Sequence, residues 1–316
     1  MMQKHLVSLR DYSRADILEI LELARRMKAD PAAFRGALRG RTLAMIFQKA
    51  STRTRVSFEA GMYQLGGHAL NLSGSDIQLR RGETVADTAR VLSRYVDGIM
   101  ARVFAHEDLE EMARYATIPI INGLSDLSHP VQALADFMTL LERRGSLEGA
   151  RVAYVGDGNN VCHSLMLAAA KLGVAMAVAA PAGYDPNPII VASAARSAQE
   201  QGTPPAVITR DPMAAVEGAD AVYTDVWTSM GQEAESEARV AAFQGYMVTG
   251  QMMAAAARDA VFMHCLPAHR GEEVSAEVMD GPRSVVFDQA ENRLHAQKAV
   301  LALLMGGPVD GAPRPA

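Results

Sequence analysis

An α/β fold, built as two doubly wound parallel-sheet domains with helices on both faces, is predicted by three features of the chain. Short apolar runs of strand length alternate with longer segments of helical periodicity over nearly the whole sequence. The length of 316 residues suits two domains of ordinary size. A polar segment at 142–149 interrupts the alternation, which then restarts. The predicted domains are therefore 1–141 and 142–289.

In the first half, Ser13 with Asp16 forms a capping-box pattern ahead of Ile17, Ile20, Leu21, Ala24 and Met27, which follow helical spacing. Pro31 lies beyond the end of that helix. The apolar run 42–47 reads as a buried strand. The mixture that follows position 55 reads as a helix, ended by Gly66-Gly67. A short strand at 68–72 leads into a polar loop at 73–82 holding Asp76, Gln78, Arg80 and Arg81. Thr84 with Asp87 opens a helix through Val85, Ala89, Leu92 and Val96. A strand at 98–104 carries Arg102, a helix occupies 106–116, and a strand occupies 118–121. Pro130 starts the next helix, through Ala133, Leu134, Phe137, Leu140 and Leu141.

In the second half, strands are predicted at 152–155, 174–180, 206–209, 221–226, 261–266 and 284–288. Helices are predicted from the turn at 156–160 to Leu172, at 188–201, between the strands at 206–209 and 221–226, at 247–258, and at 290–305, the last long and apolar on one side. The stretch 227–239 has no clear periodicity, and the tail from Gly306, with its Pro and Gly, is predicted to fray.

Composition narrows the function classes. Hydrophobic residues make up 49% and charged residues 21%, as in a globular protein with sizeable cores. A formal net charge of −5 gives no support for nucleic-acid binding, so the arginines act locally. The two cysteines, Cys162 and Cys265, cannot build a disulfide framework and suit a reducing compartment. Residues 1–12 carry neither a signal-length apolar core nor an Arg/Ser-rich transit pattern, and no apolar stretch reaches membrane-spanning length. A cytoplasmic protein without a membrane partner is expected.

The densest chemistry sits at Ser51-Thr52-Arg53-Thr54-Arg55, between the strand at 42–47 and the following helix. A helix N-terminus presents free N–H groups and partial positive charge, which suit an anion. Ser51, Thr52 and Thr54 add hydroxyl donors, and Arg53 and Arg55 add forks that match a phosphate, with Lys49 just upstream. Basic residues ordinarily favour the other end of a helix, so a phosphate cradle explains this turn better than a simple cap does. Gly156-Asp157-Gly158-Asn159-Asn160 follows a strand and opens a helix as a dinucleotide loop would, but position 161 is Val and no acid ends the next strand. A tight turn presenting Asn160 to a polar ligand fits better than a dehydrogenase.

Other candidates stand at strand ends. Arg102 lies in an apolar strand, either in an ion pair of the fold or in a site at the strand's C-terminal end. His129-Pro130-Val131-Gln132 places an imidazole before a helix and an amide in its first turn. Asp225-Val226-Trp227-Thr228-Ser229-Met230-Gly231 puts a carboxylate at a strand end, followed by a small-residue loop of a kind that can close over a ligand. In His264-Cys265-Leu266-Pro267 the cysteine is either a buried hydrophobe or a nucleophile. Neighbours on a strand point to opposite faces, which argues against His264 as its base.

In this order, Ser-Thr-Arg-Thr-Arg at 51–55, Arg102, His-Pro-Val-Gln at 129–132, Asp-Val-Trp-Thr-Ser-Met-Gly at 225–231 and His-Cys-Leu-Pro at 264–267 resemble the aspartate/ornithine carbamoyltransferase family. Arg80-Arg81-Gly82-Glu83 also fits, and the similarity runs over about residues 5–305. The Ser-Met-Gly loop and His-Cys-Leu-Pro resemble the ornithine branch; the lysine-bearing loop of the aspartate branch has no counterpart at 73–82.

The resemblance implies a carbamoyl-phosphate-binding domain at 1–141, completed by a returning C-terminal helix at 290–316, and an ornithine-binding domain at 142–289. It implies homotrimers with sites at subunit interfaces, and transfer of a carbamoyl group to L-ornithine. Ser51, Thr52, Arg53 and Thr54 would hold the phosphate. Thr54, Arg102 and His129 would polarise the carbonyl oxygen. Gln132 and the Leu266 carbonyl would orient the carbamoyl amide, with Arg293, at the start of the last helix, completing the site. Gln78 would reach a neighbouring subunit's site. Asn160 and Met230 would hold the α-groups of ornithine, while Asp225, Ser229 and Cys265 would surround its side-chain amine. No metal or cofactor is expected, since the arginines would neutralise the leaving phosphate. Other amines (N-acetylornithine, putrescine) and a non-catalytic anion-binding module are the alternatives.

Overall fold

The computed structural model describes residues 3–73, 82–228 and 235–306. The chain forms two compact units, Met1–Leu134 with Asn292–Ala316, and Ala135–Glu291.

In the first unit, α1 (Arg14–Ala29) starts at a complete capping box. The Ser13 hydroxyl accepts from Asp16 N at 3.1 Å, and the Asp16 carboxylate accepts from Ser13 N at 2.9 Å. Its buried face is Ile17, Ile20, Leu21, Ala24 and Met27. Then follow β1 (Thr42–Phe47), α2 (Thr52–Gln64), β2 (His68–Ser73), α3 (Val85–Leu92), β3 (Gly98–Arg102), α4 (His106–Tyr115) and β4 (Ile120–Leu124); α5 (Pro130–Arg144) starts in this unit and belongs to the second from Ala135 onward. The strands form a parallel sheet in the order β2-β1-β3-β4. Leu43 to Phe47 are buried without alternation, as both faces of an internal parallel strand require. Ala44, Ile46, Ile99, Ala101, Leu109, Met112 and Ile120 belong to one core cluster of this unit. α3 is shorter than its periodicity predicts: Ser93 caps it and donates its hydroxyl back to Ala89 O at 2.7 Å.

The second unit holds β5 (Arg151–Val155), α6 (Asn160–Leu172), β6 (Ala175–Ala179), α7 (Pro188–Glu200), β7 (Val207–Thr209), α8 (Pro212–Val216), β8 (Ala221–Thr224), α9 (Ser236–Ala242), α10 (Gly250–Ala255), β9 (Val261–His264) and α11 (Ala276–Met279). Its sheet is also parallel, in the order β7-β6-β5-β8-β9. Val155, Val222, Phe243, Phe262 and Trp227 share its core, with the Trp227 and Phe243 rings stacked at 5.5 Å.

The last helix, α12 (Val286–Met305), brings the chain back into the first unit from Asn292 onward. There it packs so closely on α2 that a Cβ on Gly61 would lie 3.3 Å from Lys298 Cγ, and Lys28 Nζ donates to Asn292 Oδ1 at 2.7 Å. The predicted strand at 284–288 is corrected: only Ser284 bridges to Phe262, and the helix begins two residues later. The backbone ladder gains one bridge there, whereas a buried helix satisfies every later peptide group internally. The predicted helix at 247–258 is also shortened to α10, because Val248 bridges to Val274 and Thr249 caps the helix start. Within 227–239, Ser236 begins α9. The tail from 307 lies outside the described residues. Among the described residues no helix is long and apolar enough to cross a membrane.

Candidate functional site

Each sheet reverses its winding once. In the first unit the chain moves from β1 outward to β2 and then back past β1 to β3, so β1 and β3 flank the switch point. Ligands of open α/β sheets gather outside the carboxyl ends of strands at such points. Phe47, the last residue of β1, pairs with Arg102, the last of β3. In the second unit β5 and β8 flank the switch point, and there the turn at 156–160 and Asp225 emerge.

At the first switch point, Ser51 is the N-cap of α2 and its hydroxyl accepts from Thr54 N at 3.2 Å. Thr52 and Arg53 are exposed, Ser51 is half-buried and Thr54 fully buried. Arg293 Nη2 donates to Thr54 Oγ1 at 2.7 Å, tying α12 to the first turn of α2. Arg293 is the eighth residue of its helix rather than near its start, as the sequence suggested, because α12 begins at Val286. Arg55 is directed elsewhere: its Nε pairs with Glu59 at 3.0 Å on the exposed side of α2, so that fork does not join Arg53. Lys49 Nζ lies 4.4 Å from the centroid of the Phe104 ring.

Arg102, His129, Gln132 and Arg293 are all buried in the first unit. Burial first, then the charges of Arg293 and Arg102, hold His129 well below the usual histidine range, so its imidazole is neutral at neutral pH. His129 is presented by a loop that no sequence pattern singles out. Asn122 Nδ2 donates to Val7 O at 2.9 Å and Ser128 O at 3.2 Å, Ser125 N donates to Ser128 O at 2.9 Å, and His106 Nδ1 lies 2.7 Å from Ser125 Oγ. Scattered Ser and Asn carry no periodicity; only the closed loop reveals them.

At the second switch point, Asp225 is buried and Cys265 half-buried, and Cys265 Sγ donates to Asp225 Oδ1 at 3.0 Å. Val226 N donates to the same oxygen at 2.9 Å, and Asn159 Nδ2 donates to Oδ2 at 2.8 Å. Asn160, the first residue of α6, is half-buried. His264 directs its hydrogen bonds away from Cys265: Nδ1 accepts from Leu266 N at 2.8 Å and Nε2 lies 3.3 Å from the buried Glu273. Burial pushes the Glu273 carboxyl up, but hydrogen bonds from His264 and the His269 and Glu273 backbones outweigh it and hold the group below its usual value. Leu266 sits at φ 61°, the described non-glycine residue in the left-handed region, a conformation costing of order 1 kcal/mol.

Among the described residues, two groups carry metal-ligating atoms within 4.8 Å of one another, Asp225 with His264 and Cys265, and His269 with Glu272 and Glu273. In the first group the lone pair of His264 Nδ1 already accepts from Leu266 N, and the cysteine bonds as a thiol.

The turn at 156–160 is closed to a dinucleotide by the chain itself. Gly158 N donates to Tyr184 O at 2.9 Å, and a Cβ on Gly158 would lie 2.2 Å from Pro186 N. The space that a glycine leaves for a pyrophosphate is filled by backbone 184–186. A buried cation braces the turn from behind. Arg239 Nη1 donates to Asp157 Oδ2 and to Trp227 O, both at 2.9 Å, and the guanidinium lies 5.0 Å from the Tyr184 ring centroid. Burial raises the Asp157 carboxyl to about 6 despite the opposing Arg239 charge.

The sites thus bring together Ser51, Thr54 and Arg293 on one unit, with Arg102 and Arg293 acting electrically on His129, and Asp225 with Cys265 on the other. Gln78, Ser229 and Met230 lie outside the described residues, as do Arg80 and Arg81.

Comparison with known proteins gives consistent matches. Residues 4–142 match the family model for the carbamoyl-P binding domain of aspartate/ornithine carbamoyltransferase, and residues 148–304 match that for its Asp/Orn binding domain. The chain is 58% identical over 306 residues to the ornithine carbamoyltransferase of Thermococcus kodakarensis, covering 96% of this chain and 97% of that one. It is 59% identical over 301 residues to that of Symbiobacterium thermophilum, covering 95% and 97%. The solved ornithine carbamoyltransferase of Pyrococcus furiosus superposes with a TM-score of 0.92 at 58% identity, covering 96% of this chain and 97% of that one; the Pyrococcus furiosus protein is described as anabolic.

Proposed function

The chain belongs to the aspartate/ornithine carbamoyltransferase family, and from this membership we propose that it transfers the carbamoyl group of carbamoyl phosphate to the side-chain amine of L-ornithine, releasing L-citrulline and phosphate. The observation that carries the reading is the pair of buried guanidiniums, Arg102 and Arg293, acting on a neutral His129 beside the N-terminal turn of α2. Such a cluster holds donors ready where negative charge develops.

Ser51, Thr52, Arg53 and Thr54 take the phosphate, using hydroxyls, a guanidinium and the N–H groups of the helix start. Thr54, Arg102 and His129 donate to the carbonyl oxygen; the neutral imidazole has one N–H for this task. Gln132 and the Leu266 carbonyl orient the carbamoyl amide, and Arg293 holds Thr54 in place. Asn160 and Met230 take the α-groups of ornithine. Asp225, Ser229 and Cys265 receive its side-chain ammonium, whose pKa in water is about 10.4 by analogy with lysine. That ammonium loses a proton to solvent, and the free amine attacks the carbonyl carbon. The tetrahedral intermediate passes the extra proton on its new C–N nitrogen to the phosphate oxygen, which leaves as the C–O bond breaks. The buried carboxylate of Asp225 supports an amine-bearing side chain as the acceptor. The name of the Pyrococcus furiosus relative supports citrulline formation as the working direction.

The enzyme works in the cytoplasm as a homotrimer in which Gln78 reaches a neighbouring subunit's site. The test is citrulline formation from ornithine and carbamoyl phosphate, beside N-acetylornithine and putrescine as acceptors. Ornithine should be carbamoylated with the highest kcat/KM. A higher value for another amine would overturn the substrate assignment, and no product from any of them would overturn the transferase.

A further inference from the structure

The Asp225 carboxylate can be counted out lone pair by lone pair. A carboxylate offers about four acceptor positions, two on each oxygen. Oδ1 takes Val226 N at 2.9 Å and Cys265 Sγ at 3.0 Å, which fills it. Oδ2 takes Asn159 Nδ2 at 2.8 Å. Among the described residues a single acceptor position remains, on Oδ2, and the direction in which it points is fixed by where Asn159 stands.

Asn159 is itself held without ambiguity. As N-cap of α6 it accepts on Oδ1 from Val161 N at 3.0 Å and Cys162 N at 3.1 Å, and Tyr154 OH donates to the same oxygen at 3.2 Å. Turning the amide over would set its NH2 group against two N–H donors, so Nδ2 must face Asp225. β5 and β8 are paired neighbours, which is why a cap on one reaches the strand end of the other. Among the described residues, the ionisable groups around Asp225 are Cys265, His264, Asp157, Tyr154 and Tyr223. Burial first, with Asp225 among the further causes, pushes both tyrosines well above their usual range, so the hydroxyl of Tyr154 stays a donor.

We propose that Asn159 is a positioning residue for the transfer reaction: it rotates the Asp225 carboxylate so that its one open acceptor position receives the side-chain ammonium of the amino-acid substrate. This rests on the assignment of Asp225 to that amine. Asn159 itself does not touch substrate. It converts a helix cap into an orienting device, with one end of the amide serving α6 and the other serving Asp225.

Two variants test this. Asn159→Ser keeps a good N-cap but cannot reach Asp225. Loss of a hydrogen bond to a charged group should lower kcat/KM for ornithine by about tenfold or more, with the KM for carbamoyl phosphate within about twofold of wild type. Asn159→Asp keeps the cap acceptor and sets a second carboxylate against Asp225. The pair then shares a proton, and the acid limb of kcat/KM for ornithine should move up by about one pH unit or more. A folded Asn159→Ser protein with unchanged kcat/KM for ornithine, or one equally impaired towards both substrates, would overturn the proposal. So would an unmoved pH profile in Asn159→Asp, or failure of both variants to fold, since Asn159 would then serve the fold alone. Wild-type enzyme run alongside separates the two levels: no citrulline from wild type sinks the transferase assignment, whereas an active wild type with indifferent variants sinks only the role of Asn159.

Discussion

Cys265 presents two chemically distinct possibilities, and its surroundings choose between them. A thiolate nucleophile needs a base to take its proton. The nearby imidazole is committed on Nδ1 to Leu266 N and on Nε2 towards Glu273, while the thiol donates to Asp225. The sulfur is therefore placed as a hydrogen-bond donor to the Asp225 carboxylate, the group proposed to meet the amine. Cys265→Ser should retain measurable turnover, with a raised KM for ornithine, because a hydroxyl can make the same bond. Rapid quench with labelled carbamoyl phosphate and no ornithine should leave the protein unlabelled. Stoichiometric label on Cys265 that passes to added ornithine would establish a carbamoyl-thioester and end the direct-attack mechanism. The residue types that carry this argument, Asp225 and Cys265, stand out in the sequence because each ends an apolar run with a reactive group. Asn159 does not stand out. Asn before a helix reads as a cap, and the second end of its amide acquires meaning only when β5 and β8 are known to be neighbours.

Among the elements, the strand-to-helix turns hold the residues proposed for the chemistry, and their legibility depends on how local their causes are. The turn at Ser51 could be read because cap, hydroxyls and arginine are contiguous. Arg55 departs from the phosphate-cradle expectation because an i,i+4 partner, Glu59, pairs with it along the helix. The long-range strand orders, and so the switch points, leave no local trace: β1 pairs with β3 across fifty residues. The turn at 156–160 imitates a dinucleotide loop for a reason visible only in three dimensions. Gly158 is required by the approach of Asp185 and Pro186, to which an added Cβ would come within 2.5 Å and 2.2 Å. Those contacts are with backbone, which cannot swing aside. Gly158→Ala should therefore destabilise the protein by about 1–3 kcal/mol as an overpacked site, or more if the turn must move. Chemical denaturation measures this directly, and an unchanged midpoint with unchanged slope would show that the turn relaxes freely. A shift in the turn would also move Asn159 and Asn160, so kcat/KM for ornithine should fall with stability.

At the scale of the whole molecule, the proposed trimer makes a quantitative claim. Gln78 sits in a polar stretch of the sequence, and the proposal has it contribute to a neighbouring subunit's site. If so, each site draws Arg53 from one chain and Gln78 from the next around the ring. Arg53→Ala should lose about ten- to a hundredfold in activity, because the proposed charge-assisted phosphate contact, worth about 1.5–3 kcal/mol, is lost from an exposed position in the first turn of α2. Gln78→Ala should be inactive from the other side of the interface. In homotrimers of either variant every site is defective. In trimers reassembled from equal amounts of both, a site is intact when its Arg53 comes from the Gln78→Ala chain and its Gln78 from the Arg53→Ala chain. Random assembly on a closed ring then restores about a quarter of wild-type activity. The measurement is citrulline formation after dissociation and reassociation, with exchange verified by differently tagged chains. Recovery close to that fraction supports sites shared between neighbours. Full exchange without recovery would place Gln78 within its own chain's site, or outside the chemistry altogether, and the same mixture would still report the oligomeric state through the ratio of the two tags.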